Sequence, residues 1–358
     1  MRVLALYLPQ FHRFDENDQW WGEGYTEWTA VKSAKPLYKG HIQPRVPVGG
    51  DYYDLSDQEA AALSKQAELA REYGIYGFVF YHYYFKGQKL MELPAEILLR
   101  HKEIDLKYCL DWANETWTRA WYGRMEDVLI RQEYGDKKDW KEHFDYLIQF
   151  FKDERYIKID NKPVLCIYRT FDIEHLDKMR AYFEERAREE GFDGIYLIGG
   201  RVAERLDDRN LCDAWYYFEP GYSLKRSLTP FGTFCYNAST AIRGAVNTVF
   251  KTQILERRIP IRRIYDSILS REYGKNEYPG LIARWDNTPR RGYKGLVYTG
   301  GSPELFGDAL CKLSRKIDKD SFLFINAWNE WGEGAMLEAD EAEGYAYLQK
   351  VKEANDGQ

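Results

Sequence analysis

DQEAAALSKQAELAREYGIYGFVFY, residues 57–81, joins a helical pattern to a strand pattern. Apolar residues recur at three- and four-residue spacing through 57–73, which predicts a helix, and IYGFVFY at 75–81 is typical of a buried strand. Similar helical patterns cover 137–153 and 174–190, and similar apolar runs lie at 2–8, 106–110, 163–168, 194–199, 214–218, 279–285 and 321–326. Eight strands alternating with helical segments predict an α/β fold, a single (β/α)8 TIM barrel that takes up the whole chain, 1–358.

Composition and charge narrow the class of protein. The 358 residues include 51 Lys and Arg against 57 Asp and Glu, a net charge of −6, so a nucleic-acid partner is not expected. No run of about 18 apolar residues is present, so no membrane span is expected. The five cysteines are scattered without C-x-x-C spacing, and the residues at the first strand do not fit a signal peptide, so none is expected. We therefore expect a cytoplasmic protein with neither a metal nor a cofactor.

Two segments depart from a regular barrel. The first βα connection, 9–56, is long and rich in Trp, Gly and Pro, and loops of that length are commonly functional. The segment 223–278, between predicted strands six and seven, carries 10 Lys and Arg residues against 4 Asp and Glu and includes the amphipathic pattern RRIPIRRIYDSILSR at 257–271. This inserted basic helical segment is either an outer barrel helix with a solvated face or a contact surface for an anionic glycan, a lipid phosphate or a membrane.

Candidate substrate-binding residues follow the predicted strands, because active sites of (β/α)8 barrels lie at the carboxyl ends of the strands. Aromatic residues make up 16% of the chain, and aromatic faces stack on sugar rings. The candidates are Tyr7, Gln10, Trp28, Tyr81, His82, Asp111, Trp112, Asn114, Glu115, Trp117, Glu219, Trp285, Asp286, Asn287, Arg290, Asn326, Trp328, Asn329 and Trp331. For some of them a structural role is the alternative: Trp28 could pack the first loop, His82 could be a core histidine, and Asp111 and Glu115 could pair with Arg119 and Arg124.

The exit of the last strand, NAWNEWGEG at 326–334, holds the candidate catalytic pair. Glu330 and Glu333 flank Trp331, and Gly332 and Gly334 permit tight backbone turns beside a ligand. Glycosidases need one carboxyl that is protonated and one that is ionised, and two glutamates in unlike environments supply both. The pattern predicts glycoside chemistry, with surface carboxylates as the alternative.

Four stretches carry a resemblance to a known family: LYLPQFHRFDENDQWWGEGYTEWTAV at 6–31, DWANETWTRAW at 111–121, RWDNTPRRG at 284–292 and NAWNEWGEG. The chain resembles the glycoside hydrolase family 99-like group, in its WbsX-type branch. That resemblance implies a retaining glycoside hydrolase acting on α-mannosidic or α-rhamnosidic linkages of an oligo- or polysaccharide. It further implies that Glu330 deprotonates the substrate's own 2-hydroxyl and that Glu333 protonates the leaving oxygen, through a 1,2-anhydro sugar. The sequence departs from the branch at Tyr122 and Met336.

From these residues we expect Glu330 and Glu333 to share a cleft, with the pKa of Glu333 raised by aromatic neighbours and Glu330 kept charged by polar ones. Two other functions remain open. One is a glycosyltransferase or transglycosylase of cell-surface polysaccharide biosynthesis, and the other is a non-catalytic glycan-binding protein. A D-x-D triplet, 318–320, precedes the last strand and so falls at the wrong end of a barrel for catalysis, and no G-x-G-x-x-G loop is present, which favours hydrolysis.

Overall fold

A ring of parallel strands organises the structure, a computed structural model that describes residues 1–119, 124–202 and 209–357. The strands of the described part of the chain, in the ring and outside it, are β1 (Arg2–Tyr7), β2 (Ile75–Phe85), β3 (Gln88–Leu90), β4 (Lys107–Trp112), β5 (Trp117–Arg119), β6 (Arg124–Ile130), β7 (Lys158–Ile159), β8 (Lys162–Ile167), β9 (Tyr196–Arg201), β10 (Ala214–Tyr217), β11 (Arg257–Pro260), β12 (Glu277–Tyr278), β13 (Gly280–Ile282), β14 (Leu296–Thr299) and β15 (Phe322–Asn326). Tyr122 and the side chains of Arg119 and Arg124 lie outside the described part of the chain.

Helices surround and connect these strands. They are α1 (Asp15–Trp21), α2 (Glu27–Ser33), α3 (Ala61–Glu72), α4 (Leu93–Arg100), α5 (Lys137–Phe151), α6 (Leu176–Glu189), α7 (Gly221–Arg226), α8 (Pro230–Phe250), α9 (Ile261–Leu269), α10 (Thr288–Arg291), α11 (Pro303–Ser314) and α12 (Ala346–Asp356). The helical patterns predicted at 57–73, 137–153 and 174–190 correspond to α3, α5 and α6. Of the described helices, none is both long and apolar enough to cross a bilayer.

Nine parallel strands form a nearly closed barrel in the order β12-β10-β9-β8-β4-β2-β1-β15-β13. The two strands at the ends of this path are neighbours in sequence, since only Pro279 separates β12 from β13. Proline has no N–H for a ladder hydrogen bond, and here its carbonyl accepts from Phe324 N at 2.9 Å. β12 pairs with β10 and β13 with β15, so residues 277–282 occupy the position of one predicted strand. The α/β barrel prediction is confirmed, and each predicted strand overlaps a strand of the ring.

Alternation along the strands separates the barrel interior from its outer face. Inside, Tyr216 Oη on β10 donates to Asp111 Oδ2 on β4 at 2.6 Å, across strands that are not adjacent. Outside, Tyr7 Oη donates to Gln66 Oε1 of α3 at 2.7 Å. The inner positions at the strand ends therefore face the mouth of the barrel, and the next residue along each strand faces the helices.

The connections that depart from the regular pattern are those at 9–56 and 223–278. The first contains α1 and α2. The second contains most of α7, all of α8, β11 and α9, and β12 at its end, with β11 pairing in parallel with β14. The pattern predicted at 257–271 corresponds to α9, whose Ile261, Ile264 and Ile268 are buried. Its arginines are exposed, as in an outer barrel helix. α8, with 21 residues, was not predicted.

Closure of the barrel at Gly280 predicts a loss of stability on substitution. A Cβ at Gly280 would overlap Tyr217 O on β10 and would lie 3.1 Å from Glu219 Cγ. We expect Gly280→Ala to lower the free energy of unfolding by about 1–3 kcal/mol in urea titrations. Gly301→Ala is the matched control, because a Cβ there meets nothing closer than Ile261 Cδ1 at 3.7 Å. Equal stabilities of the two variants would contradict this account of closure.

Candidate active site

A cavity of about 500 Å³ opens at the carboxyl ends of the barrel strands. Residues that follow the strands form most of its wall: Tyr81, Tyr83, Ala113, Glu115, Thr116, Trp117, Thr118, Leu129, Tyr168, Phe218, Trp285, Arg290, Arg291, Glu330 and Glu333. The first strand exit and the first loop add Leu8, Gln10, Trp21, Tyr25 and Glu27. The structure thus brings the two candidate catalytic glutamates into one aromatic-walled cavity.

One buried guanidinium, that of Arg290, holds three carboxylates in this cavity. Its Nε lies 2.6 Å from Glu27 Oε1, its Nη2 lies 3.1 Å from Glu330 Oε2, and its Nη1 lies 2.9 Å from Glu333 Oε1. The Arg290 side chain is only 11% exposed. Because three acids share Arg290 and only Glu333 has a second positive charge nearby, that of Arg291, this poorly solvated place opposes full ionisation of Glu330 and Glu333.

The backbone that carries Arg290 is fixed by Asp286. Asp286 Oδ1 accepts from Thr288 N and Oγ1 at the start of α10, and Oδ2 accepts from Gln43 Nε2 and contacts His41 Nε2, both at 2.7 Å. Burial opposes ionisation of Asp286, but the hydrogen bonds from His41, Thr288 and Gln43 hold its pKa below the ordinary value. The long first loop is thereby tied to the turn that presents the guanidinium.

The exit of β15 places Glu330 and Glu333 on one tight turn. Asn329 exchanges two hydrogen bonds with the backbone of Leu8, through Oδ1 at 2.7 Å and Nδ2 at 2.9 Å. Residues Trp331–Glu333 then form a 3₁₀ turn. A Cβ at Gly332 would overlap Glu27 Oε1 and approach Arg290 Nε to 2.7 Å, so only glycine leaves room for the ion pair.

Behind this turn, a buried carboxylate fixes two indoles. Glu338 Oε1 accepts from Trp328 Nε1 at 2.9 Å and Gln66 Nε2 at 2.6 Å, and Oε2 accepts from Trp331 Nε1 at 2.7 Å and Tyr53 Oη at 2.8 Å. Burial raises the pKa of Glu338 to about 7, although these four donors favour the ionised form. The cage locks the rotamer of Trp331 between the two candidate catalytic residues.

Burial raises the pKa of both candidate catalytic carboxyls. Glu330 rises to about 8, against the opposing charge of Arg290 and with the added repulsion of Glu333 and Glu27. Glu333 also rises, but Arg290 and Arg291 both oppose that rise. The expected direction for Glu333 is confirmed. The raised pKa of Glu330 contradicts the expectation that polar neighbours keep it charged; Arg291 adds a second positive charge that favours ionisation of Glu333.

Of the predicted substrate-binding residues, six line the cavity: Gln10, Tyr81, Glu115, Trp117, Trp285 and Arg290. Trp117 packs edge-on against Tyr83 at 5.0 Å between ring centroids. Glu115 Oε1 lies 2.7 Å from Arg169 Nη1, and the alternative partners Arg119 and Arg124 have side chains outside the described part of the chain. These six stay candidates for contact with a ligand.

Strand alternation places two candidates on the outer side of the barrel, which corrects the prediction for them. His82 follows the inward Tyr81, and its Nε2 lies 2.9 Å from His143 Nε2 of α5. Trp112 follows the inward Asp111, and its Nε1 donates to Tyr84 O at 3.1 Å. Burial lowers the pKa of His82 to about 3, so it is a neutral core histidine, the alternative given above.

Three further candidates are buried below or behind the cavity. Asp111 lies in the barrel interior on Tyr216, and burial raises its pKa to about 7 despite that hydrogen bond. Glu219 turns outward and accepts from Ser223 N and Oγ, with Arg271 Nη1 at 3.3 Å. Asn326 Nδ2 donates to Glu219 O at 2.8 Å. None of the three lines the cavity, because the end of the barrel is filled around them.

The remaining candidates hold loops in place instead of facing the cavity. They are Tyr7, Trp28, Asn114, Asp286, Asn287, Trp328, Asn329 and Trp331, all of them buried. Trp28 Nε1 donates to Tyr53 O at 2.8 Å, and its ring lies 5.4 Å from that of Trp331. The Asn114 side chain connects the exit of β4 to the backbone of Arg169: its Nδ2 donates to Arg169 O, and its Oδ1 accepts from Arg169 N. For Trp28, packing of the first loop was the alternative given above.

Sequence reasoning missed Glu27, Tyr168 and Phe218, which all line the cavity. Alternation could have found Tyr168, because Asp111 pairs with Cys166 in the register and so residues 166 and 168 face inward. It also favours Phe218, two residues after the inward Tyr216. No local signal marks Glu27, which is the first residue of α2 in the long loop.

The D-x-D triplet lies at the far end of the barrel. Asp320 precedes β15, where its exposed carboxylate lies 3.1 Å from Arg2 Nη2 at the start of β1. The cavity is at the opposite, carboxyl ends of the same two strands, so this acidic pair does not contribute to it.

Comparison with known proteins assigns the family. The family model described as glycosyltransferase WbsX matches residues 3–351. The chain belongs to the WbsX family. The uncharacterized protein WxcX of Xanthomonas campestris pv. campestris, in two strains, is 36% identical over 358 residues, covering 98% of this chain and 49% of its own length. This WbsX family chain therefore spans about half the length of the curated relatives it matches.

Solved structures share the fold of this WbsX family chain. The GH99 endo-alpha-mannosidase from Bacteroides thetaiotaomicron superposes with a TM-score of 0.58 at 15% identity, covering 99% of this chain and 97% of that chain. A glycoside hydrolase-like protein gives a TM-score of 0.58 at 13% identity, with coverage of 99% and 93%. The fold is a GH99-like TIM barrel, and the family is one of carbohydrate-active enzymes.

The raised pKa of Glu330 predicts that stability falls as pH rises. The folded protein holds a proton on this carboxyl up to about pH 8, whereas the unfolded chain releases it near the ordinary value of 4.5. Between these values the unfolding free energy loses about 1.4 kcal/mol per pH unit from this group. In urea titrations across this range, Glu330→Gln should remove that part of the slope, and the exposed control Glu341→Gln should retain it. Equal slopes in wild type and Glu330→Gln would contradict the assignment.

Proposed function

We propose that this protein is a retaining glycoside hydrolase acting on α-mannosidic or α-rhamnosidic linkages of an oligo- or polysaccharide. The observation that carries the proposal is the placement of Glu330 and Glu333 on Nη2 and Nη1 of one buried guanidinium inside the cavity. Two carboxyls that are held on one guanidinium and are both raised in pKa by burial readily share one proton. A shared proton supplies the acid and the base that glycoside cleavage requires.

The walls of the cavity suit a sugar. Trp117, Trp285 and Tyr81 offer aromatic faces, while Glu115 and Gln10 offer hydrogen-bond partners for hydroxyl groups. A volume of about 500 Å³ is within the range of small-molecule sites and accommodates more than one sugar ring. These features support recognition of a segment of a longer glycan.

The chemistry we propose uses the 2-hydroxyl of the substrate as an internal nucleophile. Glu330 removes the proton of this hydroxyl while O2 attacks C1 and Glu333 gives its proton to the departing oxygen. The product of this step is a 1,2-anhydro sugar. Glu333, now ionised, takes a proton from water as the water attacks C1, and Glu330 returns its proton to O2. The configuration at C1 is retained after two inversions, without a glycosyl-enzyme.

In this mechanism, binding of the substrate moves the proton from Glu330 to Glu333. A hydroxyl that donates a hydrogen bond to Glu330 favours its ionised form. The proton that burial places on Glu330 then moves to Glu333, which is also raised in pKa. A base of raised pKa is also a stronger base, which suits abstraction from a hydroxyl group.

The second candidate function is glycosyl transfer, which the description of the family model favours. The same carboxyl pair could pass a sugar to a hydroxyl acceptor in place of water. A donor nucleotide sugar is the distinguishing requirement of the transferase.

The proposed activity is tested by incubating the protein with α-mannans, α-rhamnans and nucleotide sugars, with products resolved by mass. We expect hydrolysis of a manno-configured glycan, and a loss of about 10²–10⁴-fold in rate for Glu330→Gln and for Glu333→Gln. An aryl glycoside whose leaving group needs no protonation should restore turnover in Glu333→Gln but not in Glu330→Gln. Glu341→Gln is the control. Product formed only from a nucleotide sugar and an acceptor would establish the transferase instead.

The mechanism is tested by removing the proposed internal nucleophile. A 2-O-methyl or 2-deoxy substrate should bind but not turn over, because O2 can no longer lose a proton and attack C1. The comparison measures the rate and the binding constant of each analogue against the parent glycan. Cleavage of the analogues at the parent rate, or a sugar ester trapped on Glu330, would exclude this route and leave the ordinary covalent pathway.

A further inference from the structure

The outward face of α8 exposes an apolar stripe. Its members lie on one side of the helix and are all exposed: Phe231, Phe234, Ala241, Ile242, Ala245 and Val249, here called the α8 stripe, with the half-buried Ala238 between Phe234 and Ala241. Phe231 is 75% exposed and Val249 is 70% exposed. From the first to the last member the stripe runs about 27 Å at 1.5 Å per residue. An apolar surface of this length is unusual on a water-facing helix and marks an interaction site.

The inner face of α8 is polar. An ordinary surface helix buries its apolar face and exposes its polar face, whereas α8 does the reverse. Asn247 is buried, and its Nδ2 donates to Ile254 O at 2.8 Å while its Oδ1 accepts from Ile254 N at 2.8 Å. Arg243 Nη1 donates to Glu256 O at 3.1 Å. These hydrogen bonds attach the inner face of α8 to the segment that follows it. The apolar side chains therefore face outward because polar groups take the inner positions.

Positive charge lies beside one end of the stripe. The segment 223–278 carries 10 Lys and Arg against 4 Asp and Glu, a surplus of six within a chain whose net charge is −6. A cavity of about 740 Å³ between α8 and α9 is lined by Arg226, Arg243, Arg258 and Arg263 together with several serine and threonine residues. Phe231 lies in the same lining. Guanidinium groups and hydroxyls at the edge of an apolar stripe match phosphate groups at the edge of acyl chains.

We propose that the α8 stripe binds the surface of an anionic phospholipid bilayer, with its apolar side chains in the interface and the neighbouring arginines on lipid phosphates. Interfacial helices have this combination of an apolar face and flanking basic residues, and basic residues near an anionic membrane strengthen its binding. Charge complementarity selects this partner over a second copy of the chain, since pairing two stripes would bring two surpluses of positive charge together. The proposal does not depend on the activity proposed above.

The test is sedimentation of the full chain with vesicles of phosphatidylcholine alone or mixed with phosphatidylglycerol. We expect binding to the mixed vesicles, weakening as salt increases, and little binding to phosphatidylcholine. Phe234→Ser with Ile242→Ser should lower binding at least about tenfold, because two large exposed side chains no longer enter the interface. The matched control is Tyr345→Ser, an exposed aromatic residue outside the stripe, which should bind as wild type does.

One double variant and two outcomes distinguish a bilayer from a second copy of the chain as the occupant of the α8 stripe. Arg262→Glu with Arg263→Glu should abolish the preference for phosphatidylglycerol without changing the thermal unfolding midpoint, since both residues are exposed on α9. Binding to mixed vesicles that is unchanged by the stripe substitutions would overturn the proposal. So would a dimer in vesicle-free solution that the stripe substitutions dissociate, because the occupant would then be a second copy.

Discussion

The site depends on one buried positive charge shared by three acids. The guanidinium of Arg290 uses all three of its nitrogens, each on a different carboxylate, and those carboxylates come from the first loop and from the exit of the last barrel strand. If all three were ionised, Arg290 and Arg291 together would still leave one uncompensated negative charge in a place with little water. Desolvation therefore keeps at least one proton on the cluster near neutral pH, and this retained proton is what makes acid and base chemistry available together.

Rigid parts behind the cluster keep it from relaxing. Glu338 satisfies four donors at once, and two of them are the indoles of Trp328 and Trp331 that precede and separate the two glutamates. Asp286 performs the corresponding role for α10. Removal of either carboxylate would leave buried donors without a hydrogen-bond partner, which lowers the free energy of unfolding. The cavity-lining carboxylates thus owe their geometry to acids that face away from the cavity.

The fold could be predicted from the sequence because buried strands and amphipathic helices alternate in it, whereas the membership of the site was predicted only in part. Nearness to a strand end selects Tyr81 and His82 alike, but pleating sends neighbours to opposite faces, so Tyr81 lines the cavity and His82 packs on α5. Applying that alternation would have excluded Trp112 and included Tyr168. Alternation could not have identified Glu27, because it contacts Arg290 only after folding brings together positions 263 residues apart.

In the basic segment, 223–278, the composition of a helix does not determine which of its faces meets the protein. α9 and α8 both mix apolar and polar residues, yet α9 buries its isoleucines against the barrel and exposes Arg262 and Arg263, while α8 buries Asn247 and exposes Phe231. Sequence periodicity identifies the two faces of a helix but not which face meets the protein; that is decided by the partners available to each face. On α8 the inner partners are backbone carbonyls and a carboxylate, so the apolar face is left outward, beside the arginines that α9 also sends outward. Two helices of opposite polarity thus combine into one surface that is both apolar and cationic.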